Sequence, residues 1–108
     1  GDGYDTEHFH IQGDGYTPTD EEYLVLGEIF EEVWTAETTT MAYREPAGEG
    51  LFTVYIEPMG RGLYGYAAVE RDGFTPYVAL NSDMSWTGIS TEDAWKVTAA
   101  VSAALRTS

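Results

Sequence analysis

Two helix-length segments with explicit start signals bracket a run of strand-like segments. That order confines the chain to helices packed on one sheet. Thr19-Asp20-Glu21-Glu22 has the form of a capping box: the Thr19 hydroxyl accepts the Glu22 N–H, and the Glu22 carboxylate reaches back to the Thr19 N–H. Pro18 precedes it, and three acids fill the first turn, where the helix dipole favours negative charge. Tyr23, Leu26, Phe30 and Val33 then recur at helical spacing, with Ile29 and Trp34 widening the stripe, and predict a helix to about Trp34. Glu21, Glu28, Glu31 and Glu32 fall mostly on the opposite face. The second start is Ser90, with Asp93 three residues on. Trp95, Thr98, Ala99, Ser102 and Leu105 form the expected inward face of the helix that it opens.

Between and before the helices the pattern is that of strands. His8 to Gln12 alternates polar and apolar residues. The β-branched run Thr38–Tyr43 reads as a strand, followed by a turn at 46–50. Leu51–Glu57 is the clearest strand, with Phe52, Val54 and Ile56 on one face. Leu63–Val69 is a further strand, placed at an edge because Gly65 weakens its interior. Asp72-Gly73 signals a hairpin into Pro76–Asn81, and residues 83–89 form a loop holding Trp86. The resulting order, β-α-β-β-β-β-α, predicts an α+β fold: a mixed sheet of about five strands with two helices packed on it. Residues 1–108 read as a single domain, in which residues 1–7 are an extended, Gly/Asp-rich N-terminal arm.

Charge limits what the chain can bind. Nineteen acidic residues against five basic ones give a net charge of −14. Nucleic acid and anionic membranes are disfavoured partners, because phosphate binding needs a basic surface. No apolar run is long enough for a membrane span. Cysteine is absent, which excludes disulfides and thiolate metal sites. The start at Gly1-Asp2 without Met predicts a processed chain, as after signal cleavage. Acid is concentrated in residues 1–50, where thirteen carboxylates stand against Arg44 alone. This segment reads either as a solvated acidic face or as a cation site. Asp2, Asp5, Glu7, Asp14 and Asp20 lie among glycines that free the backbone to wrap oxygens around Ca²⁺, although the EF-hand spacing is absent. His8 and His10, two apart on a strand, could hold a metal together with Glu7 or an N-terminal Asp; they read equally as polar surface filling. Ser90 and Ser102 have no His at triad spacing, and no phosphate-binding loop is present. Leu63, Tyr64, Tyr66 and Trp86 are candidates for pairing with an extended peptide, or for ordinary cross-strand packing.

Six segments in order resemble one group of secreted zincin-type metalloproteases: EHFHIQ (7–12), FEEVW (30–34), YREP (43–46), FTVYIEPMGRGLYGY (52–66), YVALNSD (77–83) and AWKVTAA (94–100). The element order is similar to that of the N-terminal subdomain of zincins. The resemblance implies that the last helix is the zinc-binding one, with a first His at 101, the general base Glu at 102 and a second His at 105. Val101, Ser102 and Leu105 stand there instead, and none can bind zinc or act as the base. It also implies that the edge strand near Tyr64 lines a cleft for extended peptide. The expectation is therefore a secreted, non-catalytic domain without a cofactor, acting through protein binding or self-assembly, in the extreme as an extracellular fibre. The alternatives are a truncated or inactivated zinc protease and a calcium-dependent acidic module.

Overall fold

The computed structural model describes residues 3–36 and 50–106, apart from the side chains of the last three. It contains β1 (Tyr4–Asp5), β2 (Phe9–Gly13), α1 (Asp20–Ala36), β3 (Phe52–Glu57), β4 (Gly65–Val69), β5 (Pro76–Asn81), a short 3-10 turn (Ser85–Thr87) and α2 (Thr91–Arg106). The strands form one sheet in the order β1-β2-β3-β5-β4. The inner pairs β2–β3 and β3–β5 are parallel, and the outer pairs β1–β2 and β4–β5 are antiparallel. The sheet is therefore mixed and five-stranded with two helices, the α+β class expected. The expected strand at 38–43 lies outside the described residues, and the fifth strand seen is instead Tyr4–Asp5 within the N-terminal arm.

Alternation decides which face is covered. Phe52, Val54 and Ile56 of β3 are buried, as are Phe9 and Ile11 of β2 and Val78 and Leu80 of β5. They join Leu26, Ile29 and Phe30 of α1 and Ala94, Trp95, Ala99 and Ala103 of α2 in one core cluster. Both helices thus lie on one face, and the small residues of α2 let it approach closely. Both predicted caps form. Glu22 N donates to Thr19 Oγ1 at 3.0 Å while Thr19 N donates to Glu22 Oε1 at 2.9 Å, and Asp93 N donates to Ser90 Oγ at 3.1 Å.

The loop between β3 and β4 is fixed by a buried amide. Asn81 Nδ2 donates to the carbonyls of Gly60 (2.6 Å) and Leu63 (2.8 Å), and its Oδ1 accepts from Met59 N (3.1 Å). The Asn81 carbonyl in turn accepts the Trp95 indole N–H at 2.8 Å. One residue at the end of β5 thereby ties α2 to the segment that delivers β4 to the edge.

Candidate functional site

At β4 the register tells which backbone groups are used. Asn81 N donates to Tyr64 O, and Glu70 N donates to Thr75 O, so the even-numbered positions of β4 exchange hydrogen bonds with β5. In an antiparallel pair the alternate residues turn their N–H and C=O away. Gly65, Ala67 and Val69 therefore aim their backbone groups outward, and β4 has no further neighbour among the described residues. Opposite Val69 sits Pro76, where a missing N–H costs no ladder bond. Gly65 is required for this seating: a Cβ there would stand 2.4 Å from the Ala79 carbonyl oxygen.

Beside that edge runs a groove of about 540 Å³, lined by Tyr64, Gly65, Tyr66 and Ala67 from the strand side and Val97, Thr98, Val101 and Ser102 from α2. Two groups of residues singled out in the sequence meet in it. Tyr64 and Tyr66 come from the proposed pairing segment, and Val101 and Ser102 are two of the positions that the protease resemblance assigns to zinc chemistry. Val97 and Val101 are each 52% exposed, so Val101 does not complete the core. The Leu105 side chain is outside the described residues. Just ahead of β4, Leu63 is exposed, and the Tyr64 ring meets Trp86 edge-on at 5.3 Å. Of the nine exposed large hydrophobics among the described residues, seven border this edge or lie on its hairpin and helix: Leu63, Tyr64, Tyr66, Val69, Phe74, Val97 and Val101. Such clustering marks contact surfaces more often than scattered exposure does.

The opposite face of the sheet has no helix over it among the described residues. Tyr66 spans β5 to donate to Glu57 (2.8 and 3.0 Å), and Tyr55 donates to Glu70 (3.0 Å). Tyr77 lies between them, 5.0 Å from the Tyr55 ring and 6.2 Å from that of Tyr66. Partial burial, then the hydrogen bond and charge of Glu70, push the Tyr55 hydroxyl up to about 12; the same causes, with Glu57, raise that of Tyr66.

The candidate metal residues are dispersed. His8 Nδ1 is 2.7 Å from Glu31 Oε1, and its ring stacks on Trp34 at 4.0 Å. His10 instead faces Asp5 (2.5 Å) and Gln12 (2.9 Å). Asp14 stands at the far end of β2 beside Tyr55 and Glu70, and Asp2 is outside the described residues. Among the described residues His8 lies with Glu7 and Glu31, and His10 with Asp5 and Gln12. Among the described residues the set of close metal-binding side chains is Glu7, His8 and Glu31, within 4.8 Å of one another. Glu31, placed on the solvent side by helical spacing, proves to be a hub: Thr6 Oγ1 (2.6 Å), His8 N (2.8 Å) and the His8 ring all bond to it. Burial alone would raise its carboxyl, but these hydrogen bonds outweigh burial and hold it below the ordinary 4.5. Its partners are fully accounted for by docking the β1–β2 hairpin on α1.

No family model, no curated protein and no solved structure matches the chain.

Proposed function

We propose that this chain is a non-catalytic domain that captures an extended polypeptide by strand addition at β4. The observation that carries this reading is the outward-facing backbone of Gly65, Ala67 and Val69 beside the apolar groove of Val97 and Val101. A docked strand would satisfy those N–H and C=O groups while its alternate side chains enter the groove. Edge strands are commonly protected by charge, proline or a bulge; β4 has neither charge nor proline in Gly-Tyr-Ala-Ala-Val. On the protease resemblance this is the substrate cleft retained without its chemistry, since Val101, Ser102 and Leu105 offer no zinc ligand set. That resemblance also carries the expectation of a secreted protein. No helix among the described residues is long and apolar enough to cross a membrane.

The test is a titration with an acetylated heptapeptide of alternating threonine and valine, followed by backbone NMR. Saturable shifts confined to β4, Tyr64 and the α2 face of Val97 and Val101 are expected. A chain that carries stoichiometric zinc and cleaves casein in a chelator-sensitive way contradicts the reading, and a Ca²⁺-dependent melting temperature points to the acidic module instead. Self-assembly would use the same edge, with a second copy supplying the strand. The net charge of −14 makes copies repel, so concentration-dependent scattering that appears only at high salt would assign the edge to it.

A further inference from the structure

The open face of the sheet has chemistry that the β4 edge does not use. A groove of about 460 Å³ lies there, bordered by Gln12, Asp14, Tyr55, Glu57, Glu70 and Tyr77. Its volume is within the roughly 300–1,000 Å³ of sites that hold small ligands or side-chain groups. Three of those residues are carboxylates. Among the described residues every ion pair within 4.0 Å involves a histidine, so none of the three is neutralised by Lys or Arg, although Arg71 lines the same groove. Two of the three are also held in place: Glu70 accepts from Tyr55 and Glu57 from Tyr66, which fixes their side chains and leaves further acceptor lone pairs. Between them the half-buried Tyr55 and Tyr77 rings meet edge-on at 90°, so their planes point in different directions.

Fixed carboxylates without a close ion pair, next to aromatic rings, match one kind of group. A guanidinium is flat, keeps its charge, pairs with a carboxylate through two parallel N–H donors and stacks on tyrosine. We infer that the open face binds arginine side chains of a basic polypeptide segment, seated on Tyr55 and Tyr77 and paired with Glu57 and Glu70. Charge complementarity identifies the partner: the chain carries −14 overall, with just five cationic residues of its own. This site is distinct from the strand-addition groove, because the Tyr55–Tyr77 face and the α2 groove lie on opposite sides of the sheet, although Tyr66 and Val69 of β4 border both regions.

The experiment titrates the whole chain with an acetylated Gly-Arg-Gly-Arg-Gly amide at low ionic strength, reading tyrosine fluorescence and backbone NMR shifts. Saturable binding with shifts at Tyr55, Tyr77 and Glu70 is expected. E57Q/E70Q should weaken it at least tenfold, whereas E28Q/E32Q, which removes equal charge from exposed positions of α1, should change it less than twofold. The same peptide with citrulline in place of arginine, on the unaltered protein, should bind at least tenfold more weakly, which keeps the test valid if E57Q/E70Q does not fold. Equal weakening by the two double variants would reduce the effect to diffuse attraction and overturn the inference. So would binding of spermine as tight as that of the peptide, tight binding of the citrulline peptide, or the absence of saturation.

Discussion

At one edge of the sheet two residues, Tyr4 and Asp5, close the ladder; at the other edge five uncharged residues have no further neighbour among the described residues. The β1 edge is short and its surroundings are locked. Asp5 is held by His10, Thr6 and His8 by Glu31, and Gly27 of α1 lets Tyr4 and Thr6 pack so closely that a Cβ there would stand 2.9 Å from each. The β4 edge is long, and its neighbours Val97 and Val101 remain half exposed. Polar groups at the first edge bond to one another and hold the fold. At the second, backbone and apolar groups are left facing outward, and this is the physical condition for accepting another strand. On the proposed function, stability and recognition fall at opposite ends of one sheet.

That assignment can be broken most sharply at Glu31. Glu31→Ala removes the acceptor for the Thr6 hydroxyl, the His8 N–H and the His8 ring, and should cost about 3 kcal/mol, since hydrogen bonds to charged groups contribute ~1.5–3 kcal/mol each and the Glu31 side chain, 27% exposed, is partly screened by solvent. The urea midpoint measures it; a shift worth less than about 1 kcal/mol would show that the hub is dispensable. Gly65→Val comes next. Its Cβ meets the Ala79 carbonyl, and about 2 kcal/mol should be lost by forced displacement of β4. By contrast V97S/V101S alters two half-exposed side chains and should move stability by no more than about 0.5 kcal/mol per site, while weakening heptapeptide binding at least tenfold. Loss of stability in parallel with binding would erase the distinction between the edges.

The locked edge should also respond to pH in both directions. Glu31 is lowered from 4.5, so its contribution is present above that value and is lost as pH falls through the lower folded one. His10 is raised from 6.5, first by the hydrogen bond to Asp5 and against burial, so its contribution is present below 6.5 and is lost as pH rises through the folded value. Amide exchange at Tyr4 and Ile11, corrected for intrinsic rate, should therefore be slowest between about pH 4.5 and 6.5, with His10→Gln flattening the alkaline limb alone. An unchanged alkaline limb in that variant would remove His10 from the account. The smallest effect belongs to Tyr66→Phe. One exposed hydrogen bond to Glu57 is lost, for about 0.5 kcal/mol.

Much of the fold was readable in the residues because the signals are local. The capping box at Thr19, the cap at Ser90, the alternation of Phe52, Val54 and Ile56 and the glycine in the β4 segment each act within a few positions. Gly65 suggested an edge for β4, and β4 lies at one; the close approach to Ala79 explains the glycine itself. What was missed is non-local. Tyr4–Asp5 is too short for any periodicity to register. Glu31 was placed on the outer face by its 3.6-residue phase, but a loop 23 residues earlier in the chain reaches it. The tyrosine pairs Tyr66–Glu57 and Tyr55–Glu70 cross β5, and only the strand order β3-β5-β4 makes them neighbours. Similarly, Tyr64 and Val101 were each singled out in the sequence for different reasons, and the sheet order is what joins them in one groove.

The central claim is that the β4 edge is open and accepts a strand, and amide hydrogen exchange at Gly65, Ala67 and Val69 measures this most directly. In the free chain these three amides should exchange near the unprotected rate, while those of Tyr66 and Ala68 are slowed by β5. Saturating heptapeptide should then protect amides among the three. Slow exchange of all three in the free chain, or rates unmoved by saturating peptide, would contradict strand addition at β4.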